Sequence, residues 1–496
     1  MTKGASERSR RRGRSAMMKA RVFSTRASLL LLIGLINLQC AAFSHYSLLS
    51  LQTVSQKFSN VFLSQQGTLR YKSGALLSED ELEDDEMATF DEIMEGLMKD
   101  NGIPGAQLAV AKGGELKLFQ GYGIAKRRQP RDHGDDHNMT TDHVMRISDL
   151  SRLITGVAVL QLVQDGRLEL EDKAFMLLGH LEPPSNSKID PRLHDITIRH
   201  LLQETAGWNV SASGREPSVV PGSLEVSQAL GHASPPSAAA IVQFMKGLAL
   251  DFDPGSGLEP CNFCFLVLGR VIEVISGLPY ESYVKKNIFD AIGATSFRMG
   301  ETKQEKLAAK EAHYYGQNGQ TSSCLSVYPG QGYVQCDYGF GDLKVSANSY
   351  GGWVANAKDL ALLALHIDGI RQPALLRDDL VREMLHARVP ENRHGLSQGM
   401  LWTVRLAGDG RVRSLEQSGG AIPGSHSLLL RLVDDDATIA YLVNSRPARL
   451  DDFMVSASEI LSLLARSIRN WPVDDLFLGP RLPDDHLLLK RSKIFR

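Results

Sequence analysis

The stretch from Val144 to Asp165, VMRISDLSRLITGVAVLQLVQD, limits the possible folds more than any other part of the sequence. A short polar start is followed by a run whose spacing predicts a helix with apolar side chains on most of its faces. Such a helix must be covered on all sides, so the domain has to be built around it. The apolar positions are Leu153, Ile154, Val157, Ala158, Leu160, Leu162 and Val163.

The patterns on either side of this helix predict one α+β domain over residues 88–470. Two alternating apolar runs flank Gly113-Gly114, which is typical of a hairpin. Helical patterns at both ends of the region enclose strands, which predicts an antiparallel sheet covered by the N- and C-terminal helices. Residues 166–260 are loop-rich with short helical pieces and predict an inserted helical subdomain. The other predicted elements are a helix over 90–98, helices Asn262–Ser276, Ala357–Ile367 and Asp452–Ile468, and strands Ser427–Leu432 and Thr438–Asn444.

The residues outside this domain form three segments. A basic arm and the apolar run Ser28–Phe43 predict that residues 1–43 are a cleaved signal peptide or an uncleaved anchor; an organelle presequence or a mispredicted start is the remaining alternative. Residues 44–87 end in an acidic run and predict a disordered linker, and residues 471–496 predict an irregular tail. The expected location is secreted or single-pass membrane, with an extracellular or lumenal domain.

The charge balance argues against a nucleic-acid partner. The net charge is −2, but residues 1–26 alone carry nine Lys or Arg and one Glu, so the rest of the chain carries about −10. Export is also favoured by two N-glycosylation sequons, at Asn138 and Asn209.

The cysteines and histidines predict no metal or cofactor site. Cys324 and Cys336 flank a Gly/Tyr-rich loop and are predicted to form a disulfide. Cys261 and Cys264 lie three apart, but no second pair has zinc spacing, so they are expected to be small buried residues. The 14 histidines include no HExxH motif, and no glycine-rich phosphate loop follows a strand.

Five separated segments resemble the serine β-lactamase and penicillin-binding-protein family. The family run Phe-Arg-Ile-Ala-Ser-Val-Ser-Lys-x-Phe-Thr aligns without gaps on Met145–Thr155, and ITIRHLLQETAGW (Ile196–Trp208) is similar to "ITIRHLLTHTSGL". The resemblance implies a β-lactamase/transpeptidase-like fold and acyl transfer to a serine as the ancestral chemistry. The other similar segments are Pro254–Val284, Tyr350–Leu363 and Ser418–Arg431.

The resemblance breaks at the reactive positions of the first two motifs. The nucleophilic serine of the family's Ser-x-x-Lys corresponds to Asp149, and its lysine corresponds to Arg152. A guanidinium does not give up its proton in proteins, so Arg152 cannot act as the base. An ion pair between these side chains at i,i+3 is the expected replacement. The tyrosine of the family's Tyr-x-Asn falls on Pro260, and its asparagine on Asn262, which is either a helix N-cap or a remnant of the polar lining.

The third motif is also altered. The family's Lys-Thr-Gly aligns with Gln417-Ser418-Gly419, which places the basic position at Gln417, or at Ser418 if the register slips by one residue. Neither side chain is cationic, so neither would bind a substrate carboxylate through an ion pair.

Three functional hypotheses follow from these losses. The first is a catalytically inactive member of the fold that acts by binding or assembly, with an unidentified small molecule or protein as its partner. The second is an active serine hydrolase with a rewired nucleophile, for which Ser148 and Ser151 are the candidates. The third is a structural role through self-association, which would not involve the cleft. The sequence leaves the oligomeric state open.

Overall fold

An eight-stranded antiparallel sheet lies at the centre of the computed structural model, which describes residues 79–128, 135–185, 187–219, 221–386, 396–420, 422–447 and 450–478. Its order is β3-β2-β1-β13-β12-β11-β10-β9, with three-stranded β4-β8-β5 and two-stranded β6-β7 as separate sheets. The hairpin predicted around Gly113-Gly114 is present as β1 and β2. The strands are β1 Gly105–Lys112, β2 Glu115–Lys126, β3 His137–Asn138, β4 Met145–Arg146, β5 Arg298–Met299, β6 Ser323–Leu325, β7 Tyr333–Gln335, β8 Trp353–Ala355, β9 Ser397–Gln398, β10 Thr403–Leu406, β11 Val412–Gly419, β12 His426–Leu432 and β13 Ala437–Val443.

Helices from both ends of the chain and from its middle surround this sheet. A π-helical turn, Lys285–Phe289, joins α9 to α10. The α-helices are α1 Glu79–Asp100, α2 Leu150–Gln164, α3 Ala174–Leu177, α4 Ile198–Leu202, α5 Val210–Ser213, α6 Gly222–Leu230, α7 Ala238–Lys246, α8 Asn262–Ser276, α9 Tyr280–Val284, α10 Asp290–Ile292, α11 Ala357–Ile367, α12 Asp378–Leu385 and α13 Leu450–Ser467; 3-10 turns are Pro191–Asp195, Gln304–Lys306, Gln317–Gly319 and Cys336–Tyr338.

The sheet is buried on both faces, which confirms the predicted α+β architecture. One face packs against α1 and α13, where Phe90 and Leu461 meet sheet residues such as Tyr441. The opposite face packs against α2 and α11, and α8 packs against α2. The helix α2 is the predicted central helix, and eleven of its fifteen residues are buried. The described residues from Leu82 onward belong to one compact unit.

The structure corrects the predicted start of the domain. The linker was predicted to extend to residue 87, but α1 begins at Glu79. The tail was predicted to be irregular from 471, and its described residues, 471–478, contain no helix or strand, although some of them pack on the domain. Asp475 accepts hydrogen bonds from the Leu116 amide at 2.9 Å and from Arg371 at 2.9 Å, and the Trp471 ring contacts Phe90.

The predicted signal peptide or anchor, residues 1–43, lies outside the described residues, as does most of the predicted linker. Within the part of the chain that the structure describes, no single helix has the length and apolar composition to cross a membrane; one bent pair, Asn262–Ser276 with Tyr280–Ile292, would pass on length and composition alone. Of the two predicted glycosylation sites, Asn138 is exposed on β3, whereas the Asn209 side chain caps α5 by accepting from the Ala212 amide.

The cysteine pairing differs from the prediction. Cys261 and Cys264 form a disulfide, whereas Cys324 and Cys336 are free thiols that contact each other. The predicted Cys324–Cys336 disulfide is therefore wrong in this structure. The β6–β7 register pairs Cys324 with Val334, so Cys336 is only its diagonal neighbour, and diagonal neighbours are farther apart than directly opposed ones.

Candidate functional site

A buried arginine holds the segment that leads into the site. Arg146 on β4 is fully buried and donates to the backbone carbonyls of Asp337 at 2.7 Å and Pro423 at 3.3 Å. Its guanidinium also lies 3.9 Å from the centre of the Tyr314 ring. These contacts attach the strand before the site to loops from distant parts of the chain.

The turn between β4 and α2 places Asp149 at the start of the central helix. Ser148 has a φ of +51°, a conformation that costs energy for a side chain other than glycine and persists only where its surroundings enforce it. Its hydroxyl oxygen accepts a hydrogen bond from the Ile422 amide at 3.1 Å, which holds the turn against the loop after β11. Asp149 follows as the N-cap of α2, but its side chain does not cap the helix.

The predicted ion pair between Asp149 and Arg152 is present, with 3.1 Å between Oδ1 and Nη2. Arg152 also pairs with Glu204 at 3.3 Å, and its Nη2 donates to Asn262 Oδ1 at 2.5 Å. Burial alone would lower the pKa of Arg152, but the neighbouring carboxylates, led by Asp149 and Glu204, outweigh it and raise the pKa. The guanidinium therefore stays charged and cannot accept a proton.

A second set of contacts encloses this cluster. Asn262 Nδ2 donates to Glu216 at 3.1 Å, so the asparagine belongs to the polar lining and is not the N-cap of α8, which is Cys261. The Cys261 amide donates to the same Glu204 oxygen that accepts from Arg152, at 2.6 Å. Glu204 itself has a φ of +57°, so these contacts hold it in a conformation that it would otherwise avoid.

The end of β11 lies directly against Asp149. The amide of Gly420 donates to Asp149 Oδ2 at 2.9 Å. A Cβ atom on Gly419 would lie 2.7 Å from the Asp149 nitrogen and 2.8 Å from the Ile147 oxygen, which explains why this position has no side chain. Gln417 and Ser418 precede it on the same strand and are partly buried, so the third motif lies beside the first.

The alternative nucleophiles are enclosed. Ser148 and Ser151 are both fully buried, and each hydroxyl oxygen accepts a backbone amide, from Ile422 and from Trp353 at 3.3 Å respectively. Among the described residues, neither hydroxyl has a hydrogen bond to a side chain that could serve as its base.

A small cavity adjoins this site. The cavity next to it has a volume of about 10 Å³, roughly the size needed for one water molecule. Pro260, Asn262 and Glu216 are among its lining residues. No group of three or more His, Cys, Asp or Glu that could hold a metal ion occurs within the described ranges.

A family model described as Beta-lactamase matches residues 90–457. This chain belongs to the beta-lactamase family. Among its relatives, Protein flp of Staphylococcus aureus (strain N315) is 25% identical over 226 residues, which cover 45% of this chain and 41% of the relative. Penicillin-binding protein 4 of Amycolatopsis lactamdurans is 24% identical over 213 residues, which cover 42% and 47%. The matches thus span less than half the length of these relatives.

Solved structures share the fold of this family member. The D-amino acid amidase from Ochrobactrum anthropi SV3 complexed with D-phenylalanine gives a TM-score of 0.57 at 20% identity, over 77% of this chain and all of the amidase chain. The octameric penicillin-binding protein homologue from Pyrococcus abyssi gives 0.55 at 19% identity, over 76% and 77%. At these identities the likeness shows the fold alone.

Sequence reasoning missed three participants in this site: Glu204, Glu216 and the Gly420 amide. A signal existed for Glu204, because the family run ITIRHLLTHTSGL has a histidine at that position. The exchange of a histidine for a carboxylate beside an arginine on another segment points to a new ion pair. Glu216 and Gly420 lie in stretches without such a pattern.

Proposed function

We propose that this chain is a non-catalytic member of the beta-lactamase family, which binds a ligand through the cleft region instead of transferring an acyl group. The observation that carries the proposal is the position of the Asp149 carboxylate, which bonds Arg152 through one oxygen and the Gly420 amide through the other. The Asp149 side chain thereby occupies both Arg152, at the family's lysine position, and the backbone amide at the end of β11.

The acid–base properties of the side chains at the motif positions support this proposal. Acyl transfer to a serine needs a hydroxyl and a base that removes its proton within hydrogen-bond reach. Asp149 has no hydroxyl, Arg152 stays protonated, and Pro260 offers neither an acid nor a base.

The electrostatics of the Gly420 amide also support it. Acyl-transfer enzymes aim backbone N–H groups at the place where a negative oxygen develops in the transition state. The Gly420 N–H already points at a carboxylate oxygen, 2.9 Å away. A second negative oxygen there would be repelled by Asp149 and would find this donor occupied.

The ligand class is argued from the end of β11 that lacks a strand partner on one side. The described pairing of β10 with β11 ends at Thr403 and Glu416, so Gln417–Gly419 have a strand partner only on the β12 side. A short peptide-like chain can add to such an edge through its amides. Asp149 and Glu204 pair with Arg152, Glu216 accepts from Asn262, and Arg215 and Asp251 line the adjoining cavity. Acidic side chains therefore outnumber basic ones, and the negative local charge favours an uncharged ligand over a carboxylate.

Active-site probes test the loss of catalysis. Incubation with a fluorophosphonate and with a chromogenic β-lactam is expected to add no mass to any serine and to give no turnover above buffer, because no alkoxide can form. Intact-protein and peptide mass spectrometry provide the measurement, with a catalytically active family member as the positive control. Covalent addition that disappears in Ser148→Ala or Ser151→Ala would establish the rewired hydrolase instead.

A pair of model ligands tests the binding role. Calorimetric titration is expected to show that N-acetyl-dialanine amide binds about fivefold more tightly than the matched free acid, an advantage of about 1 kcal/mol. Gln417→Lys supplies a cation at the family's basic position and is expected to reverse the preference. Tighter binding of the acid by the unaltered chain, or no binding of either compound, contradicts the proposed ligand class.

A further inference from the structure

The disulfide between Cys261 and Cys264 lies at the start of a long buried helix and in the wall of the candidate site. Cys261 is the N-cap of α8, and the Cys264 amide donates to Cys261 Sγ at 3.0 Å. The Cys261 amide holds Glu204, which pairs with Arg152. The two cysteines are thus separated by one helical turn and face a polar cluster on one side.

We propose that Cys261 and Cys264 form a thiol–disulfide exchange site, which takes dithiols as its substrate class. A disulfide of this kind does little for the stability of the fold. It closes a loop of only four residues, and short loops restrict the unfolded chain least. The helix that carries it is already held by a large apolar core, to which eight of its fifteen residues belong.

The helix start favours reduction at this place. A thiolate at a helix N-terminus is stabilised by the backbone N–H groups and by the positive end of the helix dipole. Cys261 Sγ already accepts one such N–H. The Glu204 carboxylate next to it opposes a negative sulfur, but that carboxylate is paired with the Arg152 guanidinium.

The two sulfurs have different surroundings. Both sulfurs belong to buried residues, but Cys261, at 3% exposure, lines the small cavity beside Pro260 and Asn262, whereas Cys264 is 0% exposed and does not line it. An incoming sulfur that enters through this cavity therefore meets Cys261 first, and Cys264 is the sulfur that leaves.

The exchange balances without a further reactant. One thiolate of the dithiol attacks Cys261 Sγ, the bond to Cys264 breaks, and Cys264 takes the electron pair and then a proton. The second thiolate of the dithiol attacks the dithiol sulfur that is now bonded to Cys261. This step releases Cys261 and closes the dithiol into a disulfide. Two electrons and two protons pass from the dithiol to the cysteine pair.

The unaltered chain provides the first test. In the protein as purified, alkylation with N-ethylmaleimide and peptide mass mapping are expected to label Cys324 and Cys336 but neither Cys261 nor Cys264. Dithiothreitol, at concentrations that leave the far-UV circular dichroism unchanged, is expected to make Cys261 and Cys264 reactive toward N-ethylmaleimide together. A disulfide that resists until the chain unfolds, or a pair that is labelled without reductant, overturns the proposal.

Matched single variants provide the second test. With Cys264→Ser, the remaining Cys261 thiol is expected to form the mixed disulfide with Ellman's reagent about tenfold faster than the Cys264 thiol does in Cys261→Ser, because only Cys261 lines the cavity and is stabilised by the helix start. Peptide mapping assigns each adduct and separates it from adducts on Cys324 and Cys336. Equal or reversed rates contradict the proposed order of attack, and the test on the unaltered chain does not depend on either variant folding.

Discussion

Replacing Arg152 with methionine is expected to lower the free energy of unfolding by about 3–5 kcal/mol, the cost of leaving buried charge without its partner. The arginine side chain is only 11% exposed, and it is the cation between Asp149 and Glu204. Methionine fills a similar volume but donates no hydrogen bond, so both carboxylates and the Asn262 oxygen lose a donor. Urea denaturation followed by circular dichroism at neutral pH measures the change.

An exposed arginine serves as the matched control. Arg377 pairs with Asp379 at 3.0 Å, but both side chains are more than half exposed, so Arg377→Met is expected to change the stability little. A double-mutant cycle of Arg152→Met with Glu204→Gln is expected to give a coupling free energy of about 0.5–3 kcal/mol, since the two groups are in contact. If Arg152→Met is as stable as the unaltered chain, the ion-pair cluster does not contribute to the stability of the fold.

This cluster links the stability of the site to segments that lie far apart in the sequence. Here the positions at the start of α2 form an ion pair, and Glu204 and Asn262 come from other segments to complete it. These contacts join residues from three separate segments, so the exchange of one of these residues also changes the partners of the others.

The sequence predicted those parts of the fold that depend on apolar periodicity. The helix predicted within Val144–Asp165 is found at Leu150–Gln164, and the hairpin around Gly113-Gly114 is found at its predicted place. A buried helix or strand has regularly spaced apolar residues, and this spacing can be recognised without knowing which element it packs against. The start of α1 was missed because an acidic run is typical of both a solvated linker and a first helical turn.

Contacts between distant segments could not be predicted in the same way. The i,i+3 pair of Asp149 and Arg152 was predictable because helix geometry alone brings the two side chains together. Glu204 is distant in sequence, and its approach depends on how α4 packs against α8, which in turn packs against α2. The cysteine pairing was wrong for a related reason: the loop between Cys324 and Cys336 indicated that they are close, but the register that sets them diagonally is fixed only by the folded hairpin.

The stability of the chain is expected to fall by about 3 kcal/mol through His426 alone as the pH is lowered from 7.5 to 4. His426 is fully buried, and burial lowers its pKa from 6.5 to about 4; the Gly419 backbone and the Asp149 charge oppose this shift, and Arg446 adds to it. A histidine whose folded-state pKa lies below its unfolded value contributes stability that is complete above pH 6.5. That stability is lost as the pH falls toward 4, because the unfolded chain takes up the proton first.

The difference between two denaturation series isolates this contribution from that of the carboxyl groups, which titrate in the same range. At each pH, the free energy of unfolding of the unaltered chain is subtracted from that of His426→Leu. This difference is expected to rise by about 3 kcal/mol, in favour of the variant, between pH 7.5 and 4. The exposed His232, changed to leucine, is the matched control and is expected to give a flat difference. A flat difference for His426→Leu would mean that this ring is charged inside the fold, with Asp149 as the nearest candidate for its counter-ion.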